Sequence, residues 1–206
     1  MNEALATRIR NGLEFLEGWA IPEKALAMAE LIEETKPELV VELGVFGGKS
    51  LIPQAMALAA NSRGIIVGVD PWCNKDAIEG WPDDENAKWW RSVDMHKIHQ
   101  GYMEAVWGFG LKPYIVTIRG TSEQASLLIP SNIDILHIDS NHSEAASCAD
   151  VNTYLPKVKV GGYVWMDDTN WPSTQKAVEI LKSRCTELRT VSAPGVESRL
   201  YRKCQE

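Results

Sequence analysis

The sequence predicts an α/β domain built on a doubly wound, mostly parallel sheet, and three observations predict it. Short apolar runs rich in β-branched residues recur along the chain, segments with helical spacing separate them, and acidic residues stand where the runs end. Runs of this length suit strands covered on both faces, as parallel sheets require. Alternation of strand and helix then implies a sheet whose ligands sit beyond the carboxyl ends of its strands.

Taken in order, the N-terminal stretch MNEALATRIRNGLEFLEG carries charges throughout, so neither a signal peptide nor a membrane span is expected there. Ala25, Met28, Ala29 and Ile32 then fall at i, i+3, i+4 and i+7, behind a Pro22 that a helix start tolerates. This helix leads into the first run, residues 39–43. A second helix is expected over 50–60, before the run at 65–69. The stretch NKDAIEGWPDD reads as a loop, and ENAKWWRSVDMHKIHQGYMEAVWGF after it as one long amphipathic helix. Trp72, Trp81, Trp89, Trp90 and Trp107 lie here, five of the eight tryptophans. Core packing with a subunit interface is one reading of them; an aromatic lid over an acceptor, joined by Trp19, is the other.

Further runs follow at 114–118, 133–138 and 163–166, with a helix over 143–155 and another in PSTQKAVEILKSRC, where Pro172 suits the first turn. Two short strands around Ala193-Pro194-Gly195 complete the pattern as an antiparallel edge hairpin. A single domain over 1–206 is expected, with a helical cover at 1–35, a sheet core at 36–203 and a Trp-rich insertion at 71–110. No linker or repeat divides it.

Composition narrows the function. The 21 basic and 28 acidic residues give a formal charge of −7, which weighs against nucleic acid or an anionic membrane as partner. Cys73, Cys148, Cys185 and Cys204 are far apart without a C-x-x-C pair, so neither a zinc site nor a disulfide framework is indicated, and a reducing cytoplasm fits.

The stretch VVELGVFGGKSL ends in Gly-Lys-Ser like a phosphate-binding loop, but the first glycine of that pattern would fall on Leu43. The dinucleotide pattern fails as well, because Phe46 stands two residues after Gly44. Gly44, Gly47 and Gly48 still allow close backbone approach, and Ser50 with the following helix N-terminus suits a carboxylate. Asp70 ends the next strand, 26 residues after Gly44, where an acid accepts hydrogen bonds from ribose hydroxyls. Glu42, Asp70, Asp139, Asp167 and Asp168 gather at one rim, and clustered carboxylates need a cation or donors to stay ionised.

These residues carry a resemblance. ELGVFGGKS, GVDPW, IRGTSEQA, LHIDSNHS and GGYVWMDDTN resemble the successive motifs of class I S-adenosylmethionine-dependent methyltransferases, over about residues 36 to 203. Within them the acids are most similar to metal-dependent small-molecule O-methyltransferases of the catechol and antibiotic-sugar types. The resemblance implies a Rossmann-like sheet of seven strands with the last antiparallel. It further implies that Glu42, Gly44, Phe46, Ser50, Asp70 and Ser122 bind S-adenosylmethionine, with Ser122 beside the adenine or capping its helix.

Asp139, Asp167 and Asp168 would hold a divalent ion, Mg²⁺ by the hardness of its oxygen ligands, and His142 would be the general base beside Asp139. The acceptor would be a small hydroxylated sugar or aromatic, and a homo-oligomer contact would run through the N-terminal helix or the Trp-rich segment. Asn170 reads as a turn residue, His137 as locally bonded, and His96 and His99 as helix-surface residues. Two departures stand out: Asp168 replaces the Asn of many catechol-type relatives, and DSNHS replaces a more usual Asp-Gly or Asp-His wording. A cephalosporin-hydroxylase-like enzyme of the same fold and a non-catalytic cofactor-binding module are the rival readings.

Overall fold

The apolar runs form strands of one sheet: β1 (Leu39–Leu43), β2 (Ile65–Asp70), β3 (Ile115–Arg119), β4 (Ile133–Ile138) and β5 (Val158–Asp167), joined by the C-terminal β6 (Cys185–Ala193) and β7 (Val196–Lys203). This computed structural model describes residues 1–82 and 84–205; Asp83, in the loop expected at 74–84, and Glu206 lie outside the described residues. Among the described residues the strand order is β3-β2-β1-β4-β5-β7-β6. The first five strands pair in parallel, whereas β7 runs antiparallel to both β5 and β6. The order reverses at β1, and Leu43 sits level with Val69 on one side and Ile138 on the other. The segments leaving β1, β2 and β4 therefore emerge side by side at the carboxyl edge, the place where such sheets bind ligands.

Helices cover both faces. The chain enters through α1 (Glu3–Leu13) and α2 (Pro22–Thr35), continues in α3 (Leu51–Asn61), and crosses the Trp-rich segment as α4 (Asn74–Ala77), α5 (Glu85–Ser92) and α6 (Met95–Gly108). The later helices are α7 (Ser122–Ser126), α8 (Glu144–Tyr154) and α9 (Gln175–Arg184). Ile9, Met28, Ile32, Ile52, Met56 and Tyr102 pack one core, so α1, α2, α3 and α6 share a face. Ala125, Val151, Tyr154, Val178 and Leu181 pack the other core from α7, α8 and α9.

Three elements differ from the sequence reading: the stretch at 74–84, expected as a loop, opens with the short helix α4 (Asn74–Ala77). The long helix expected at 85–109 is broken: Val93 is extended, with ψ 130°, and Asp94 caps a new helix by accepting from the Lys97 amide at 3.0 Å. A cap residue inside the amphipathic run outweighs its periodicity. Strand β5 also begins at Val158 rather than Tyr163, because a register shift between Ile133 and Ile135 accommodates Gly161 at φ +82°. The Lys159 and Gly161 positions interrupt the apolar run that marked the strand.

Candidate active site

The glycine loop lies against the acid-bearing end of β4. Gly44 has φ +85°, and a Cβ there would sit 1.9 Å from the Asp139 carbonyl oxygen, so only glycine fits this approach. Phe46 also takes a left-handed conformation, φ +48°, which costs a non-glycine residue about 1 to 2 kcal/mol. Asp70 holds it there. One carboxylate oxygen accepts from the Val45 and Phe46 amides, both at 2.9 Å, while the other accepts from the Trp72 amide at 2.6 Å. Burial pushes the Asp70 carboxyl above its ordinary value, and the Phe46, Trp72 and Val45 amides oppose that shift. The Trp72 indole closes the loop by donating to the Phe46 carbonyl at 2.9 Å.

Beneath the loop, Glu42 is fully buried. One of its oxygens accepts from the Ser50 hydroxyl at 2.8 Å; the other accepts from the Gln54 amide at 2.6 Å and lies 2.9 Å from His137 Nδ1. Ser50, itself buried, thus turns its hydroxyl inward and makes no capping bond to α3. On the far side of the crevice the α7 cap is Thr121, not Ser122: Thr121 and Gln124 form a reciprocal capping box. The Ser122 hydroxyl donates instead to Asp150 on α8, as does Ser140 of the loop after β4.

The acid cluster divides in two. Successive residues at a strand end face opposite sides, and Asp168 leaves β5 at φ +50°. Asp167 consequently points inward. One of its oxygens accepts from the Ser198 hydroxyl at 2.6 Å and lies 3.4 Å from His137 Nε2; the other pairs with the ammonium of Lys24 from α2. Asp168 faces outward, 2.9 Å from His142 Nε2, and that nitrogen is 3.6 Å from Asp139. The three acids expected as one ligand set therefore do not converge on one point. Among the described residues two groups offer ligand atoms within 4.8 Å of one another: His137, Asp139 and Asp167, and Asp139, His142 and Asp168. Asn170 belongs to the turn after β5, where the Trp171 amide donates to the Asp168 carbonyl at 2.9 Å.

Acids and bases alternate from Glu42 through His137, Asp167, Lys24, Asp139 and His142 to Asp168. Burial and Lys24 pull His137 down, but Glu42 and Asp167 outweigh them and hold it up at about 9. Burial opposes the ionised form of Asp167, yet Lys24 and His137 keep it well below the usual carboxylate range. Burial and the neighbouring Asp167 raise Asp139 to about 6. His142 is raised to about 10 because Asp139 and Asp168 overcome its burial. The two carboxylates facing it thus favour the protonated imidazole over the neutral one.

The tryptophans singled out in the sequence separate into four settings. Trp72 is buried and stacks on Tyr102 at 5.4 Å. Trp19, Phe46, Trp89 and Trp90 form one aromatic cluster above the glycine loop, with neighbouring centroids 4.9 to 5.8 Å apart. Trp81 meets Trp171 at 5.8 Å, and Trp171 in turn meets His142 at 5.4 Å, beside the outer acid group. Trp107 stands apart on α6, 63% exposed. Lys24 is the site residue that the sequence reading missed. Its signal is a lysine on the face that α2 buries, one turn ahead of Met28.

A family model described as a methyltransferase domain matches residues 41–169, the stretch from β1 to the end of the acid cluster. An uncharacterised protein, R132, of Acanthamoeba polyphaga mimivirus is 31% identical over 130 residues, covering 62% of this chain and 50% of that protein. The chain thus spans about half the length of this curated relative. Among solved structures, the O-methyltransferase TomG of Streptomyces achromogenes, in complex with S-adenosylmethionine, is similar with a TM-score of 0.65 and 18% identity over 99% of this chain and 91% of that one. An O-methyltransferase of Bacillus cereus, in complex with S-adenosylhomocysteine, gives a TM-score of 0.64 and 15% identity over 98% and 92%. At such identities the likeness speaks for the fold, and it agrees with the sheet order and the antiparallel β7 seen here. From the family match together with that sheet, the chain belongs to the methyltransferase domain family, among the class I S-adenosylmethionine-dependent methyltransferases.

Proposed function

We propose that the chain transfers the methyl group of S-adenosylmethionine to a hydroxyl oxygen of a small acceptor, with a divalent cation held by Asp139, His142 and Asp168. The observation that carries this reading is the meeting of the glycine loop with the acid cluster, where the Gly44 backbone packs on the Asp139 carbonyl. A cofactor on that loop and an acceptor on that cluster would be neighbours, as in-line transfer requires.

The residues present fit both partners. Asp70 and the Val45–Phe46 backbone would face the nucleoside, and the α3 N-terminus, left without a side-chain cap, suits the methionine carboxylate. The outer group fits a cation because His142 Nε2 is buried between two carboxylates without an aligned hydrogen bond among the described residues. Two oxygens and an imidazole nitrogen suit Mn²⁺ as well as Mg²⁺. Such an ion supplies Lewis-acid polarisation that lowers the pKa of an acceptor hydroxyl. His142 then serves as a ligand rather than as the general base expected from the sequence. Trp171 and Trp81, beside His142, would wall the acceptor, and the cluster around Trp19 would shield the cofactor loop from water.

The test is formation of S-adenosylhomocysteine from S-adenosylmethionine and a panel of vicinal diols, with Mg²⁺ or Mn²⁺ and after exhaustive chelation. Chelation should abolish turnover while calorimetric S-adenosylhomocysteine affinity stays near its starting value. Full activity in the chelated protein would remove the cation from this reading. Absence of S-adenosylhomocysteine binding would remove the cofactor.

A further inference from the structure

One charge in the acid cluster has no part in that reading. Lys24 comes from the first turn of α2, is 1% exposed, and places its ammonium against Asp167 and 3.6 Å from Asp139. We infer that this ammonium is a tethered cation filling the inner of two adjoining cation positions, so that the cluster takes one exchangeable divalent ion, in the outer position. The inference rests on the metal-assisted reading above.

The inner position has the makings of an ion site. His137, Asp139 and Asp167 offer ligand atoms within 4.8 Å of one another. His137 is fully buried, and its Nε2 is directed at Asp167 without an aligned hydrogen bond among the described residues. Lys24 supplies the positive charge there. Asp139 is shared: one oxygen faces Lys24 and the other faces His142, so the fixed charge and the exchangeable ion act on one carboxylate. A fixed positive charge at this range opposes a second ion and weakens the hold on the first. Asp167, engaged by Lys24 and Ser198, balances the ammonium and is not a ligand of the exchangeable ion.

The experiment is Mn²⁺ binding to the intact chain, followed by the electron paramagnetic resonance of free Mn²⁺. Wild type should bind one ion. Lys24→Met should bind Mn²⁺ at least about tenfold more tightly, since a neighbouring unit charge has gone, while Lys24→Arg should stay near wild type. The double variant Lys24→Met/Asp167→Asn removes both charges and leaves no unpaired buried ion, so it should fold and bind within about threefold of wild type. Asp167→Asn alone leaves the ammonium uncompensated and should bind about tenfold more weakly.

Unchanged or weaker binding by folded Lys24→Met overturns the inference, because a merely structural lysine would behave so. If that variant does not fold, the remaining pair decides: failure of the double variant to recover the affinity lost in Asp167→Asn overturns it equally. In both cases Mn²⁺ binding by wild type leaves the metal-assisted reading standing. No Mn²⁺ binding by wild type or any variant would sink both.

Discussion

Asp70 braces the loop that the cofactor is proposed to use, so its loss should register before any cofactor is added. Asp70→Ala strands three backbone amides and should lower the stability of the cofactor-free protein by about 1 to 3 kcal/mol. Chemical denaturation measures this, and S-adenosylhomocysteine calorimetry should show a weakening of similar size. His142 offers a sharper choice between roles. As a ligand, His142→Ala should raise the Mn²⁺ concentration for half-maximal rate by about 10- to 100-fold, taking the scale of perturbed metal sites, with a rate near wild type once Mn²⁺ saturates. A general base would instead leave a deficit of about 10²- to 10⁴-fold at every Mn²⁺ concentration. At this scale the sequence was informative about position and weak about direction. Asp139, Asp167 and Asp168 stand where the strand ends place them, yet nothing in the order of letters says that Asp167 turns inward to a lysine more than a hundred positions away.

The elements were legible wherever apolar periodicity decided them. β1 and β4 have the expected bounds, and the β6–β7 hairpin turns at Gly195, which has φ +81°. Polar local bonds decided the exceptions. Asp94 divides α5 from α6, and Thr121 rather than Ser122 starts α7; both are side-chain caps that overrule the hydrophobic pattern. Asp94→Ala should therefore cost about 1 kcal/mol of stability, read as a lower denaturation midpoint with an unchanged slope. No shift at all would mean that packing of Met95 and Tyr102, rather than the cap, starts α6. The tryptophans could not be sorted from sequence, because one segment feeds a core, a cluster over the glycine loop and a wall beside His142.

For the whole molecule, the sheet order was legible through the family resemblance more than through the strands themselves, since no local pattern places β7 between β5 and β6. That insertion carries weight. β7 covers the edge of β5 and brings Ser198 to Asp167. A chain ending at Arg184 exposes that edge and should be insoluble or lack a cooperative melt; a soluble, cooperatively melting product with intact Mn²⁺ binding would contradict this. The same arrangement also has a meaning in time. Synthesis delivers Gly44, Asp70, Asp139, His142 and Asp168 before the strand that completes their sheet, so a nascent chain already holding the whole proposed ligand set still has an open β5 edge and an Asp167 short of its Ser198 partner. The inner half of the acid cluster is therefore expected to settle only once β7 has paired with β5 and Ser198 has reached Asp167.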